Sequence, residues 1–94
     1  MLVVELAFTP TPERLATRPA HRETLARLHA DGELVAAGPW ADDDGALLVF
    51  AVDRGRLEEL LDADPYYRRT PGVEVRSVRA WTPVVGCFSR PDRA

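Results

Sequence analysis

The stretch that decides the fold is Gly32-Glu-Leu-Val-Ala-Ala-Gly-Pro39, which is followed after a short turn by Ala46-Leu-Leu-Val-Phe-Ala-Val52. The first segment predicts a short strand over residues 33–37 that Gly38-Pro39 ends, and the second predicts a continuously apolar strand. Asp42-Asp-Asp-Gly45 between them has the composition of a turn. Two strands therefore follow one another directly, with no helix between them.

Helical patterns lie on both sides of this pair of strands. On the N-terminal side, Thr11-Pro12-Glu13 has the form of a helix start, but Pro19 interrupts that turn. We therefore expect the main helix to run from about residue 18 or 19 to residue 31. On the C-terminal side, Asp53 is a suitable N-cap for a short helix with leucines at helical spacing, and Asp64-Pro65 ends it.

Strand patterns occupy the two ends of the folded region. The run Leu2-Val-Val-Glu-Leu-Ala-Phe8 is apolar apart from Glu5. Residues 73–82 form a second strand pattern whose alternation changes phase, which predicts a β-bulge near Arg76-Ser77. Residues 66–69 and Pro71-Gly72, before that strand, are interpreted as a loop. The predicted order of elements is therefore β-α-β-β-α-β.

This order predicts an α+β fold of the ferredoxin-like type, with a four-stranded antiparallel sheet and the helices on one face. Two helices cover only one face of such a sheet, yet the strands at residues 2–8 and 46–52 are apolar on both faces. The second face therefore needs a cover, and a second copy that packs sheet on sheet is the simplest one. We expect a homodimer through the open sheet face.

Composition limits the class of function. The chain has 94 residues, of which 46% are hydrophobic, and 12 basic against 15 acidic residues give a net charge of −3. This balance provides no electrostatic footprint for nucleic acid, no apolar run approaches the ~20 residues that cross a membrane, and the N-terminus lacks a basic leader. We expect a cytoplasmic protein with neither nucleic acid nor membrane as partner. One domain should span residues 1–88, followed by a flexible tail over residues 89–94.

No residue pattern indicates a metal or a cofactor. The single Cys87 excludes an internal disulfide and is expected to be inert, because no neighbouring group activates it. His21 and His29 lack the i, i+4 spacing of a helical metal motif. Asp42-Asp-Asp44 lacks the alternate spacing of a calcium loop, so that we expect a solvated turn there. We predict no metal, no cofactor and an exposed His29.

His21 and Asp64 are the candidate chemical groups. His21 shares the apolar stripe of the main helix with Leu25 and Leu28, and Asp64 opens the turn after the second helix. An imidazole beside a carboxylate makes an acid/base pair, because the carboxylate fixes the tautomer of the ring. The pattern alone favours a buried histidine that a carboxylate satisfies.

Three further features are candidates for a pocket beside this pair. Gly38-Pro39 leaves bare backbone that a ligand can approach, although a plain strand-ending turn explains it equally well. Arg18, one turn before His21, could bind a substrate carboxylate or remain solvated. Tyr66 and Trp40 could face an aromatic ligand, or could belong to the core or to a dimer contact.

Several motifs occur in the order that is typical of one known family. They are Arg18-Pro-Ala-His21, Leu25-Ala-Arg-Leu28, Gly32-Glu-Leu-Val-Ala-Ala-Gly-Pro39, Gly45 with the apolar strand after it, and Asp64-Pro65-Tyr66. In these residues the chain resembles the YciI-like (YCII-related) family of the dimeric α/β-barrel superfamily. It departs from that family at Arg22, where Leu is usual, and at Tyr66, which keeps the ring of the usual Phe and adds a hydroxyl.

The resemblance implies a dimeric α/β barrel and a pocket far more strongly than it implies a reaction. The family's histidine and aspartate, regarded as a catalytic dyad, map onto His21 and Asp64. The resemblance thus implies a small cofactor-independent enzyme that performs elimination or isomerisation on a small cyclic or aromatic molecule. Arg18, Gly38-Pro39 and Tyr66 would then bind the substrate. The alternative is a non-catalytic dimer that binds a small ligand or acts as an accessory protein.

Overall fold

The computed structural model describes residues 1–86, so that Cys87 and the tail over residues 89–94 lie outside the described part. The elements are strand β1 (Leu2–Phe8), helix α1 (Pro12–Ala30), strands β2 (Leu34–Pro39) and β3 (Gly45–Phe50), helices α2 (Arg54–Ala63) and α3 (Pro65–Arg68), and strand β4 (Val73–Ala80). The strands form one antiparallel sheet in the order β2-β3-β1-β4. This confirms the predicted ferredoxin-like α+β fold. Within residues 1–86, no helix has both the length and the apolarity that crossing a membrane requires.

Helix α1 begins earlier than the sequence predicts. The Thr11 hydroxyl caps it by accepting a hydrogen bond from the backbone N–H of Arg14 at 3.1 Å, and the helix continues through Pro19. The expectation that Pro19 would prevent a helix from starting at residue 12 is therefore wrong. A proline removes one backbone hydrogen bond, but Arg14 anchors the first turn by stacking over the Phe8 ring and pairing with Asp43.

The segment after α2 differs from the predicted loop. Helix α2 ends at Ala63, as the Asp64-Pro65 step predicts, but residues 65–68 then form the short helix α3. Asp64 caps α3, because its side chain accepts a hydrogen bond from the Tyr66 N–H at 3.0 Å, and Pro65 occupies a favourable first position. The turn buries Tyr66 and Tyr67 under α1.

The core lies between the helices and one face of the sheet. Its fully buried side chains are Val4, Leu6, Leu48, Phe50, Leu57 and Leu61. Side chains alternate between faces along a strand, so Val3, Leu47 and Val49 lie on the opposite face, where the register pairs Val3 with Val49. That face is uncovered in the single chain, and Glu5 shares it.

The predicted irregularity in the last strand is present. Glu5 pairs with Ser77 and Leu6 pairs with Val75, so that Arg76 is the extra residue of a β-bulge between them. The bulge shifts the phase of alternation, which explains why the apolar pattern of β4 changes register in the sequence.

Gly72 is the glycine whose replacement should destabilise the fold most clearly. It has φ +94° where the chain enters β4, and an added Cβ would lie 2.6 Å from the Thr9 carbonyl oxygen. We expect Gly72→Ala to lower the free energy of unfolding by about 1–3 kcal/mol, measured by urea denaturation. Gly55→Ala is the matched control, because its Cβ meets only ordinary contacts in α2 and should stabilise slightly. Equal stability of Gly72→Ala and wild type would contradict the assignment of strain.

Candidate functional site

A cavity of about 450 Å³ lies between α1, the end of β2 and the helix-facing side of the sheet. Its size falls within the roughly 300–1,000 Å³ of small-molecule pockets. Apolar side chains form most of its wall, among them Leu6, Phe8, Leu25, Leu48 and Tyr66. The cavity therefore suits a small molecule with an apolar body.

His21 and Asp64 form the polar centre of the site. The His21 Nδ1 lies 2.7 Å from the Asp64 Oδ2, and the two residues are 6% and 9% exposed. The other carboxylate oxygen, Oδ1, accepts the backbone N–H of Tyr66. Helix α1 supplies the histidine and the junction of α2 with α3 supplies the carboxylate, so the pair depends on tertiary packing.

The charge state of Asp64 fixes the tautomer of His21. Burial by itself raises the pKa of Asp64, but the hydrogen bonds from His21 and from the Tyr66 N–H outweigh it and hold that pKa below its usual range. An ionised carboxylate only accepts hydrogen bonds, so Nδ1 of a neutral His21 carries the proton. The lone pair of the ring then lies on Nε2.

Nε2 is the His21 ring nitrogen that Asp64 does not contact. It has no hydrogen-bond partner among the described residues, and the fully enclosed side-chain atoms that lack a partner there are Arg14 Nε and Nη1. His21 also lines the cavity. Nε2 is therefore available to accept a proton from a bound molecule or to return one.

Two tyrosines of α3 fix the plane of the His21 ring. Tyr66 stacks on the imidazole, with the ring centroids 4.0 Å apart and an interplanar angle of 11°. Tyr67 meets the same ring edge-on at 5.1 Å. Burial, with the nearby charge of Asp64, raises the pKa of Tyr67 well above its usual value, so that its phenol stays neutral. The imidazole therefore has little freedom to turn away from Asp64.

A second polar group lies at the edge of the cavity. Asp43, with φ 59°, accepts hydrogen bonds at one oxygen from Arg14 Nη2 and Arg18 Nη2, each at 3.0 Å. The hydrogen bond from Arg14 lowers the pKa of Asp43 most, and together with the bond from Arg18 it outweighs the opposing effect of burial. The turn is exposed at Asp42 and Asp44, and the Asp43 side chain is 42% exposed, but the sequence did not indicate the two ion pairs of Asp43.

The structure brings most of the predicted site residues to one cavity. Arg18, His21, Gly38-Pro39 and Tyr66 line it, and Asp64 lies behind His21. Trp40 does not line it, and instead lies against Gly45 with 45% of its surface exposed.

Sequence reasoning did not single out Arg14, Arg22, Asp43 or Tyr67 as site residues. The spacing of Arg14, Arg18 and Arg22 at four-residue intervals was the available signal, because residues so spaced share one side of a helix. Within residues 1–86, no group of three or more His, Cys, Asp or Glu is arranged to hold a metal ion.

Asp64→Asn is expected to reduce stability most near neutral pH. The lowered pKa of Asp64 contributes stability that is complete above its unfolded-state value of about 3.9 and is lost as the pH falls below that. The variant should lose about 1.5–3 kcal/mol of unfolding free energy at pH 7, the range for hydrogen bonds to charged groups. The difference from wild type should narrow between about pH 5 and pH 2.

Urea denaturation across this pH range measures the effect. Glu23→Gln is the matched control, because Glu23 is exposed on α1 and should leave the pH dependence unchanged. A difference between Asp64→Asn and wild type that stays constant with pH would show that folding does not lower the pKa of Asp64.

A family model described as the YCII-related domain matches residues 1–82 of the chain. No curated protein and no solved structure matches the chain significantly. The matched region includes every strand and helix given above, together with the His21–Asp64 pair and the cavity. The chain therefore belongs to the YCII-related family.

Proposed function

We propose that the protein is a small cofactor-independent enzyme that uses His21 and Asp64 for acid/base chemistry on a small cyclic or aromatic molecule. The single observation that supports this most is the 2.7 Å contact between His21 Nδ1 and Asp64 Oδ2, made where His21 also lines an apolar cavity. A carboxylate that orients an imidazole at a pocket wall is the arrangement that general base catalysis needs.

In the proposed reaction, Nε2 of neutral His21 takes a proton from a carbon atom of the substrate. Asp64 stabilises the imidazolium that forms, because its negative charge lies beside Nδ1. The imidazolium then returns the proton to another substrate carbon, which gives isomerisation, or to a departing group, which gives elimination. The apolar wall excludes water and strengthens these electrostatic effects.

The predicted substrate-binding residues have distinct parts in this proposal. Tyr66, already stacked on His21, would also present apolar surface to a ring in the cavity. Gly38-Pro39 offers backbone at the edge strand, where the substrate can approach closely because an added Cβ on Gly38 would meet nothing within 4 Å. Arg18 would contact a polar substituent.

A non-catalytic ligand-binding or accessory protein is the second candidate. The observation that favours it is the burial of His21, whose ring lies against Tyr66 and Tyr67 with only 6% of the residue exposed. In that case the His21–Asp64 pair stabilises the fold, and the cavity binds a small ligand without catalysing a reaction.

Hydrogen–deuterium exchange separates the two candidates. Small cyclic acids, lactones and phenols are first screened by thermal shift, because a ligand that binds only the folded state raises apparent stability. Each stabilising compound is then incubated with the protein in D2O and followed by proton NMR. The enzyme proposal predicts that a C–H signal of the compound disappears or that a product appears. Binding without either change supports the second candidate.

We also propose a homodimer through the open sheet face, with the two sheets forming the dimeric α/β barrel of the predicted fold. Val3, Leu47 and Val49 supply apolar surface on that face, and Trp81 extends it with 42% of its own surface exposed. Contiguous exposed apolar surface of this kind favours association. A cytoplasmic location stays a prediction.

A further inference from the structure

Three arginines lie along the side of α1 that borders the cavity. Arg14, Arg18 and Arg22 follow one another at four-residue intervals. Arg14 and Arg18 share the carboxylate of Asp43, whereas Arg22 has no ion pair within residues 1–86 and lines the cavity together with Arg18. Asp43 thus neutralises part of the charge of Arg14 and Arg18, whereas Arg22 has no such partner among the described residues.

Arg18 and Arg22 line the cavity without a carboxylate between them among the described residues. Like charges at i and i+4 on a helix destabilise each other. Asp43 removes that repulsion between Arg14 and Arg18, but nothing in the described part of the chain does so between Arg18 and Arg22. Arg18 also uses only Nη2 to bind Asp43. Its Nε and Nη1 have no acceptor among the described residues. An anion between the two arginines would supply what is missing.

The balance of charge around the cavity indicates the charge of that anion. Of the charged side chains that line the cavity, Arg18 and Arg22 are cations and Asp43 is an anion, which leaves one positive charge. A monoanion matches this excess, whereas a dianion such as a phosphate monoester exceeds it. The rest of the wall is apolar and includes Phe8, Leu25 and Leu48.

We propose that the substrate is an apolar, ring-containing carboxylate whose carboxylate group binds between Arg18 and Arg22. Its ring lies in the cavity against Tyr66, below Nε2 of His21. This assignment of a substrate class rests on the proposed function for the role of His21, but the binding of the anion does not depend on turnover. Arg22 is then the residue that selects an anionic substrate, with Arg18 as its partner.

A pair of probes with the same shape and different charge tests the proposal. Binding of 2-naphthoate and of 2-naphthamide is measured by isothermal titration calorimetry on the full chain at low salt. We expect the carboxylate to bind about tenfold more tightly than the amide, which corresponds to ~1.4 kcal/mol for two partly exposed contacts. Raising the salt concentration should weaken the binding of naphthoate and leave the binding of naphthamide unchanged.

Arg22→Leu is the decisive variant, because it keeps apolar surface and removes the charge. It should reduce the preference for naphthoate over naphthamide by roughly three- to fivefold, which is the effect of one exposed ion pair, and leave the affinity for naphthamide unchanged. Arg27→Leu, on the exposed side of the same helix, should leave the preference at its wild-type value. Equal affinity for the two probes, absence of binding by both at millimolar concentration, or an unchanged preference in Arg22→Leu would overturn the proposal.

The outcome is separable from that of the proposed function. Selective binding of naphthoate without any C–H exchange in the D2O screen would support the anion site and contradict the proposed enzyme activity. The opposite result is His21-dependent C–H exchange of a neutral compound, with no preference for carboxylates. It would support the proposed enzyme activity and contradict the anion site.

Discussion

His21→Gln is expected to lower turnover of the cavity's substrate by roughly 10²- to 10⁴-fold, the usual contribution of a general acid or base. A glutamine amide can still donate an N–H to Asp64, so the buried carboxylate keeps a partner and the fold is retained. What the amide lacks is a basic nitrogen in the place of Nε2. Loss of the stacked ring 4.0 Å from Tyr66 should lower stability by only about 1 kcal/mol.

The same helix offers a matched control for this variant. His29 lies two turns after His21, is exposed, and contacts the Leu34 carbonyl through Nδ1, away from the cavity. His29→Gln should therefore retain full turnover. Ligand affinity of His21→Gln, measured by calorimetry, should stay near the wild-type value, because the change removes chemistry and leaves the wall in place. A His21→Gln protein that folds, binds and turns over as well as wild type would end the enzyme proposal.

The order of elements was predictable because each one carries its own local signal. Strands β1 and β3 are apolar runs bounded by turn residues, and Asp53 and Asp64-Pro65 delimit α2 through capping and through the conformational restriction before proline. The bulge in β4 was predictable for the same reason, since a change in the phase of alternation is visible in the residues themselves.

The helix start at Thr11-Pro12-Glu13 carries a local signal, but the continuation of α1 through Pro19 was not predictable, because tertiary contacts support it. Local rules give Pro19 a cost that should exclude a helix across it. The buried Arg14 offsets that cost by binding Asp43, which lies 29 residues away in the chain, and by stacking on Phe8. Helix α3 was missed in a similar way, because a four-residue helix shows too little periodicity to be recognised.

The residues of the candidate site likewise fall into those that local sequence signals predict and those that only tertiary packing reveals. His21 and Asp64 were predictable as neighbours because an inward stripe and a turn at a helix end both point to one side of the sheet. The ion pairs of Asp43 were not predictable, because they join a turn residue with a positive φ to Arg14 and Arg18 on a distant helix. Arg22 could not be assigned to the cavity from its exposed position on the helix, because only the packing of α1 on the sheet shows which exposed residues border an opening.

Val49→Asp is expected to abolish the proposed homodimer. Val49 lies near the middle of the open sheet face, flanked by Val3 on β1 and by Ala36 on β2. A dimer with two-fold symmetry would bring two such carboxylates into the interface, and burial costs several kcal/mol for each charge. Sedimentation at micromolar concentration should give twice the mass of the chain for wild type and the mass of one chain for the variant. Ala26→Asp, which adds the same charge on the exposed side of α1, should remain dimeric.

The thermal midpoint of wild type provides a second measurement in case Val49→Asp fails to fold. When folding and association are coupled, the midpoint rises with protein concentration, whereas that of a monomer does not. The uncovered face carries Leu47, Val49 and Val3 beside Glu5 and Ser77, so apolar residues cover its centre and polar residues its β4 side. That division is typical of an interface with an apolar core and a polar rim. A wild-type chain that sediments as a monomer at micromolar concentration, with a midpoint independent of concentration, would show that the open face has another role.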